Sequence, residues 1–220
     1  DSRTNGVPEK VFKQISPEKL YMATGNQIMP INTLFQLMTE NGKCLESKTM
    51  LFMPDLFGWA LCGSHTVDKT IASTSQMVNP LNGNWEHSIT ALTPFPVSFF
   101  PKIVDCATIC GEYRGIPVVK VAGHDTQCAV AAMPWNGVGE AAFLSCGTWS
   151  LIGCELDKPI LTKKSMEDEL SNEIGANNQI NYLKNISGLW LIQEIRRNFR
   201  EKGKEYSYND MEQLARKEPS

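Results

Sequence analysis

Residues 117–134, PVVKVAGHDTQCAVAAMP, constrain the chain more than any other stretch. β-Branched residues give way to Gly123-His124-Asp125, and a run of small residues follows until Pro134 stops it. The pattern predicts a strand, a turn carrying a carboxylate, and a helix slim enough to pack closely. Before this stretch the patterning is mainly helical. After it, AAFLSC and WSLIGC, within 141–154, read as two strands joined at Gly147-Thr148. Helices followed by strand, helix and hairpin give an α/β class, with a domain boundary near residues 112–118: residues 1–115 form a mainly helical part, and residues 116–220 begin an α/β domain with an incomplete sheet.

The helical half carries clear punctuation. Ser16-Pro17 predicts an N-cap followed by proline at the first helical position. Residues 30–40 place Ile31, Leu34 and Leu37 on one face, with Phe35 and Met38 beside it, and Asn41-Gly42 closes that helix. Residues 49–63, TMLFMPDLFGWALCG, predict a largely buried helix ending at Gly63. Residues 66–76 are small and polar with no period, and Asn84, Trp85 and Glu86 open a short helix before a proline-broken connector, PFPVSFFPKIV. Further on, 183–202 reads as the clearest helix, with Leu183, Ile186, Leu189, Ile192, Ile195 and Phe199 on its apolar stripe. Ser207 or Asn209 caps a last helix starting near Tyr208.

Composition narrows the function classes. The 220 residues carry a formal net charge of −3, so no bulk field draws the chain to nucleic acid or anionic lipid. No apolar run approaches the ~20 residues that cross a bilayer, and DSRTNGVPEK is not a signal peptide. Seven cysteines with no CxxC pair read as reduced, mostly buried thiols of a cytoplasmic protein.

Three positions could carry chemistry. Asp125 follows a strand, where ligands of open α/β sheets bind, and a carboxylate there can take the proton of a hydroxyl attacking phosphorus; it could equally be a helix N-cap. Gly147-Thr148 could present backbone N–H groups and a hydroxyl to phosphoryl oxygens. His124 could contact a polar ligand or be structural, whereas His65 and His87 read as structural or surface residues. Cys146 has no histidine near it in sequence to make it a nucleophile. The phosphate-binding GxxxxGK[ST], the dinucleotide GxGxxG, and the HRD and DFG pair of protein kinases are all absent.

Read together, DSRT (1–4), TGNQIMPINTLFQL (24–37), FMPDLFGWALCG (52–63), ASTSQMVNP (72–80), IPVVKVAGHDTQCAVAAMP (116–134), FLSCGTWSLIG (143–153) and NYLKNISGLWLIQE (181–194) resemble the FGGY family of carbohydrate kinases, most closely its rhamnulokinase branch. The resemblance implies a ribonuclease-H-like fold of the actin and hexokinase kind, incomplete here, with its site between two domains. A phosphate-contacting segment before residue 1 and an adenine-binding segment after residue 220 would lie outside the chain. It implies Asp125 as catalytic base, His124 and Gln76 on the sugar side, and Gly147, Thr148, Asn185 and Gln193 on the side of ATP. It also implies Mg2+ held through phosphates and water. The expected substrate is a ketose such as L-rhamnulose, with L-fuculose or D-xylulose as alternatives, and a non-catalytic sugar-binding relic as another. The isolated chain is expected to be inactive and to form homodimers through exposed apolar faces. The chain departs from the family at Gly123, at Cys146, and at Ile174, where a glycine is usual; that isoleucine is expected to alter a loop near the nucleotide.

Overall fold

The computed structural model describes residues 2–40, 46–135 and 141–218. The first half runs α1 (Val7–Val11), α2 (Pro17–Thr24), α3 (Thr33–Leu37), α4 (Met53–Cys62), β1 (Thr66–Asp68), α5 (Lys69–Ala72), β2 (Val78–Asn79), β3 (Asn84–Trp85), α6 (His87–Thr90) and β4 (Lys102–Val104). Then come β5 (Ile109–Tyr113), β6 (Ile116–Val119), α7 (Asp125–Ala131), β7 (Phe143–Cys146), β8 (Trp149–Leu156), α8 (Lys163–Glu167), β9 (Leu170–Ile174), β10 (Ile180–Ser187), α9 (Trp190–Glu201) and α10 (Tyr208–Ala215). The largest sheet is antiparallel in the order β7-β8-β10-β9, while β1 and β4 pair in parallel.

The caps form as their residue types dictate. The Ser16 hydroxyl accepts the Lys19 N–H at the start of α2, and Ser207 and Asp210 close a reciprocal capping box on α10. Helices α1 to α3 and α6 bury Val11, Leu20, Leu34, Phe35 and Ile89 in one core, joined by Phe99. The predicted stop at Asn41-Gly42 lies outside the described residues, and Ile31 precedes α3 with its side chain half exposed.

Several elements differ from the sequence expectation. Helix α4 forms and ends at Gly63 in the left-handed conformation, but it is not buried: Met53 and Phe57 are each 68% exposed, and Asp55 alone is buried. Its apolar residues run all round, so periodicity could not say which side faces solvent. The unpatterned stretch 66–76 forms β1 and α5, and Asn84-Trp85 pairs with Val78-Asn79 as a small hairpin, leaving Glu86 as the cap of α6. The predicted helix 183–202 is half strand. Residues 180–187 pair along their whole length with β8, and the helix starts only at Trp190. Leu183 is fully buried with Val130, Phe143 and Leu151, a contact across the sheet that a helical stripe would not make. None of the described cysteines is fully buried, though all are free thiols.

Strand β9 ties the second half to the first. Its outer edge is not left open: the Asn172 N–H donates to Gly25 O at 2.8 Å, and the Ile174 N–H to Ser73 Oγ at 3.0 Å. Gly25 ends α2 at φ 68°, and a Cβ there would sit 3.1 Å from the Asn172 Cβ, so both backbone freedom and close approach require glycine. The Tyr21 hydroxyl donates to Leu170 O at 2.8 Å; burial, then the neighbouring Tyr182, push its pKa up to about 12, so it remains a donor. Ile174 corrects the expectation of an altered loop: it is an ordinary strand residue, buried against Val67, Ala72, Val78 and Ile180.

A second tie is ionic. Lys120 Nζ lies 2.9 Å from Asp55 Oδ1 and donates to Thr66 O at 2.9 Å, with both side chains buried. The same Asp55 oxygen accepts the Asp68 N–H at 3.0 Å. Burial pushes the Asp55 carboxyl above its ordinary range despite Lys120. Substituting Lys120→Met is expected to strand a buried carboxylate and cost about 3–5 kcal/mol in urea unfolding, whereas Lys120→Met with Asp55→Asn recovers most of that loss.

Candidate active site

Strand β6 stops at Val119, and Lys120–Gly123 carry the chain back over the first half. Asp68 receives it. Its Oδ1 accepts the Thr70 and Ile71 N–H groups, capping α5, and also the Gly123 N–H at 2.8 Å. The His124 N–H then donates to the Thr70 hydroxyl at 3.2 Å. The Gly-His-Asp turn is thus seated on a buried carboxylate from β1, and α7 begins at Asp125.

The cap of α7 is His124, not Asp125: Nδ1 accepts the Thr126 N–H at 3.2 Å. Asp125 is left with its carboxylate fully exposed, accepting only the Thr126 N–H, at 2.8 Å, beside the imidazole. His124 lies between two carboxylates, with Nδ1 3.4 Å from Asp125 Oδ1 and Nε2 3.4 Å from Glu173 Oε2. Burial opposes its charge, but Glu173, then Asp125, outweigh that and hold the imidazole above its usual pKa.

These groups open onto a cavity of about 470 Å³. Its other side is the β7–β8 hairpin turn, Gly147-Thr148, and between them runs a polar wall that includes Asn26, Gln27, Asn32 and Asn185. Asn185 Nδ2 donates to Gln27 Oε1 at 3.2 Å, and the Gln27 N–H to Ser171 Oγ at 2.8 Å, so the two halves share that wall. The hairpin turn is held from behind by the start of α9: Leu189 N–H donates to Gly147 O at 2.9 Å, and Gly188 and Trp190 N–H to Thr148 O. The Gly147 N–H is taken by Trp149 O at 2.8 Å, so the expected nest of free amides reduces to Thr148, which is exposed.

The fold therefore brings His124, Asp125, Gly147, Thr148 and Asn185 to one cavity. Two residues singled out in the sequence lie elsewhere. Gln76 is fully buried one layer behind: its Oε1 accepts from Asn32 at 2.6 Å, its Nε2 donates to Thr24 Oγ1 at 2.7 Å, and its N–H donates to Asn26 Oδ1. It shapes the wall without lining it. Gln193 sits on α9 beside Arg196 and Arg200 in a separate surface hollow. Among the described residues, no cluster of three or more His, Cys, Asp or Glu could hold a metal ion. Sequence reading missed Glu173 and the Asn26, Gln27 and Asn32 wall. An acid inside the apolar-flanked strand LSNEI was the one available signal for the first, and three amides within TGNQIMPIN were the signal for the second.

The chain is similar to known proteins in sequence and in fold. The model described as "FGGY family of carbohydrate kinases, N-terminal domain" matches residues 1–133, and that of the C-terminal domain matches residues 142–220. A rhamnulokinase of Enterococcus faecalis is 35% identical over 100% of the chain and 46% of its own length; one of Oceanobacillus iheyensis is 36% identical over 99% and 48%. The chain thus spans about half the length of the curated relatives it matches. Among solved structures, a ligand-bound xylulose kinase from Lactobacillus acidophilus superposes with a TM-score of 0.77 at 13% identity, over 100% of this chain and 46% of that one. Plasmodium falciparum glycerol kinase with ADP gives a TM-score of 0.70 at 14% identity, over 88% and 43%.

Gly188 gives this geometry a direct test. A Cβ at that position would lie 2.6 Å from Gly147 O and from Ser150 Oγ. Gly188→Ala is expected to push the hairpin turn off α9 and to lower stability by about 1–3 kcal/mol in urea unfolding.

Proposed function

The chain belongs to the FGGY family of carbohydrate kinases, and from that premise we propose that it supplies the sugar-facing part of an ATP-dependent kinase whose acceptor is a ketose, L-rhamnulose first among them. The observation that carries the reading is the meeting of Asp125 and Thr148 across one cavity with an amide-lined wall. An exposed carboxylate suits a base, and amides and hydroxyls suit the many hydroxyls of a sugar. The rhamnulokinase relatives at 35% and 36% identity favour L-rhamnulose over other ketoses.

In this reading the sugar lies against His124, Asn26, Gln27 and Asn32, and Asn185 meets the nucleotide side of the same cavity. Asp125 accepts the proton of its terminal hydroxyl as that oxygen attacks the γ-phosphorus of ATP. The bond from phosphorus to the bridging oxygen breaks, and ADP leaves with the electron pair. Thr148 donates to the γ-phosphoryl oxygens as charge shifts among them, so the protein works by positioning and by charge stabilisation. Magnesium bound with ATP would neutralise phosphate charge, and in this reading it would be held through the phosphates and water. The curated relatives are about twice as long as the chain, and turnover requires the segments that complete them. Free thiols support a cytoplasmic, reducing setting.

The test is a coupled phosphorylation assay of the full-length parent over L-rhamnulose, L-fuculose, L-ribulose, D-xylulose and glycerol. The expected result is a preference for L-rhamnulose and a loss of kcat of about 10²–10⁴-fold in Asp125→Asn. Preference for another sugar would retain the mechanism and replace the substrate; full activity of Asp125→Asn would overturn the assignment of the base. The exposed faces of α4, with Met53 and Phe57, and of α9, with Trp190 and Ile195, support self-association of the 220-residue chain. Sedimentation is expected to give a homodimer that Phe57→Asp with Met53→Asp shifts to monomer.

A further inference from the structure

Behind His124 stands a chain of side chains with one possible direction. Asn181 Nδ2 donates to Gln127 Oε1. With its oxygen so engaged, Gln127 must turn its Nε2 the other way, and it donates to Glu173 Oε2 at 2.9 Å. The same Glu173 oxygen lies 3.4 Å from His124 Nε2. Asn181, Gln127 and Glu173 are all buried, and they come from β10, α7 and β9. A carboxylate can only accept, so the imidazole nitrogen facing it is the one that carries a hydrogen. On the far side, Nδ1 accepts the Thr126 N–H, as a bare ring nitrogen does.

We propose that Glu173 is a positioning residue: it fixes His124 as the Nε2–H tautomer, so that the second imidazole proton is carried on Nδ1 and faces Asp125. This rests on Asp125 being the base. When Nδ1 takes a proton, the imidazolium turns its N–H to Asp125 Oδ1, 3.4 Å away, and engages the oxygen that would receive the sugar proton. When Nδ1 is bare, Asp125 is free to act. The charged groups facing the ring are Asp125 on its own helix and Glu173 on β9; Asp68, at the β1–α5 junction, holds the adjacent Gly123 N–H. Glu173 therefore sets the pH at which the base becomes available, without touching the sugar.

The decisive experiment is a histidine NMR titration of the chain, with no sugar or nucleotide present. There are three histidines, and His65 and His87 are exposed and serve as internal references. In the unaltered chain, the ¹⁵N shifts of neutral His124 should show a proton on Nε2. In Glu173→Gln, which keeps the shape and removes the charge, the His124 midpoint should fall. The acid limb of kcat/KM in the full-length parent should move to lower pH by the same amount. A neutral Nδ1–H tautomer, or a His124 midpoint unmoved by Glu173→Gln, would overturn the proposal. The tautomer measurement needs no variant, so it decides the matter even if Glu173→Gln unfolds. Neither NMR result depends on turnover, so failure of the kinase reading would appear separately, as full activity in Asp125→Asn.

Discussion

Burying Lys120 against Asp55 takes two charges out of water, at a penalty of several kcal/mol for each ion, and the fold uses both of them for position. Asp55 comes from an otherwise exposed helix and Lys120 from the segment leading to the Gly-His-Asp turn. Asp55 also holds the Asp68 N–H, and Asp68 in turn holds Gly123. Two linked carboxylates thus carry the strand-to-helix turn from an irregular stretch onto the parallel β1–β4 pair. An apolar replacement could match the stability of the ion pair, but it could not hand a hydrogen bond on to Asp68. The pair specifies where His124 and Asp125 lie.

The remaining cleft wall depends on β9. Among the described residues this edge strand has no further strand to pair with, yet its Asn172 and Ile174 N–H groups donate to Gly25 and Ser73 from the first half. Its side chains divide the work. Ile174 closes the apolar core between the halves, Asn172 binds the end of α2, Ser171 anchors Gln27, and Glu173 reaches His124. One strand thereby sets core, wall and imidazole together. The buried Gln76 does the same from the other side, holding Asn32 and Asn26.

What could be read from the sequence was whatever rests on local chemistry. Ser16-Pro17, Gly63, the Gly147-Thr148 hairpin and the Ser207 cap follow from their own residues. So does the α/β order, and the resemblance carried by GHDT and CGTWS pointed to Asp125 and Thr148. Tertiary pairing was not legible. Leu183 and Ile186 fit a helical stripe, but eight residues of ladder with β8 override that period. Nothing in MPDLFGWALC says which side meets solvent. Gln76 could be noticed as unusual, but only its partners show that it stands behind the wall. Glu173 showed itself only as an acid within LSNEI, because its partners, Gln127 and His124, lie 46 and 49 positions away.

The two sides of the cleft are held by different kinds of bond. The Gly147-Thr148 turn is fastened through main-chain carbonyls to the amides of residues 188–190. The amide wall is fastened through side chains, Gln27 to Asn185 and Asn32 to Gln76. Main-chain bonds survive most changes of residue type, whereas side-chain bonds do not. Mutation can therefore redraw the amide wall piece by piece while the hairpin turn stays put; under the proposed function, that makes the architecture evolvable in its choice of sugar and conservative in its chemistry.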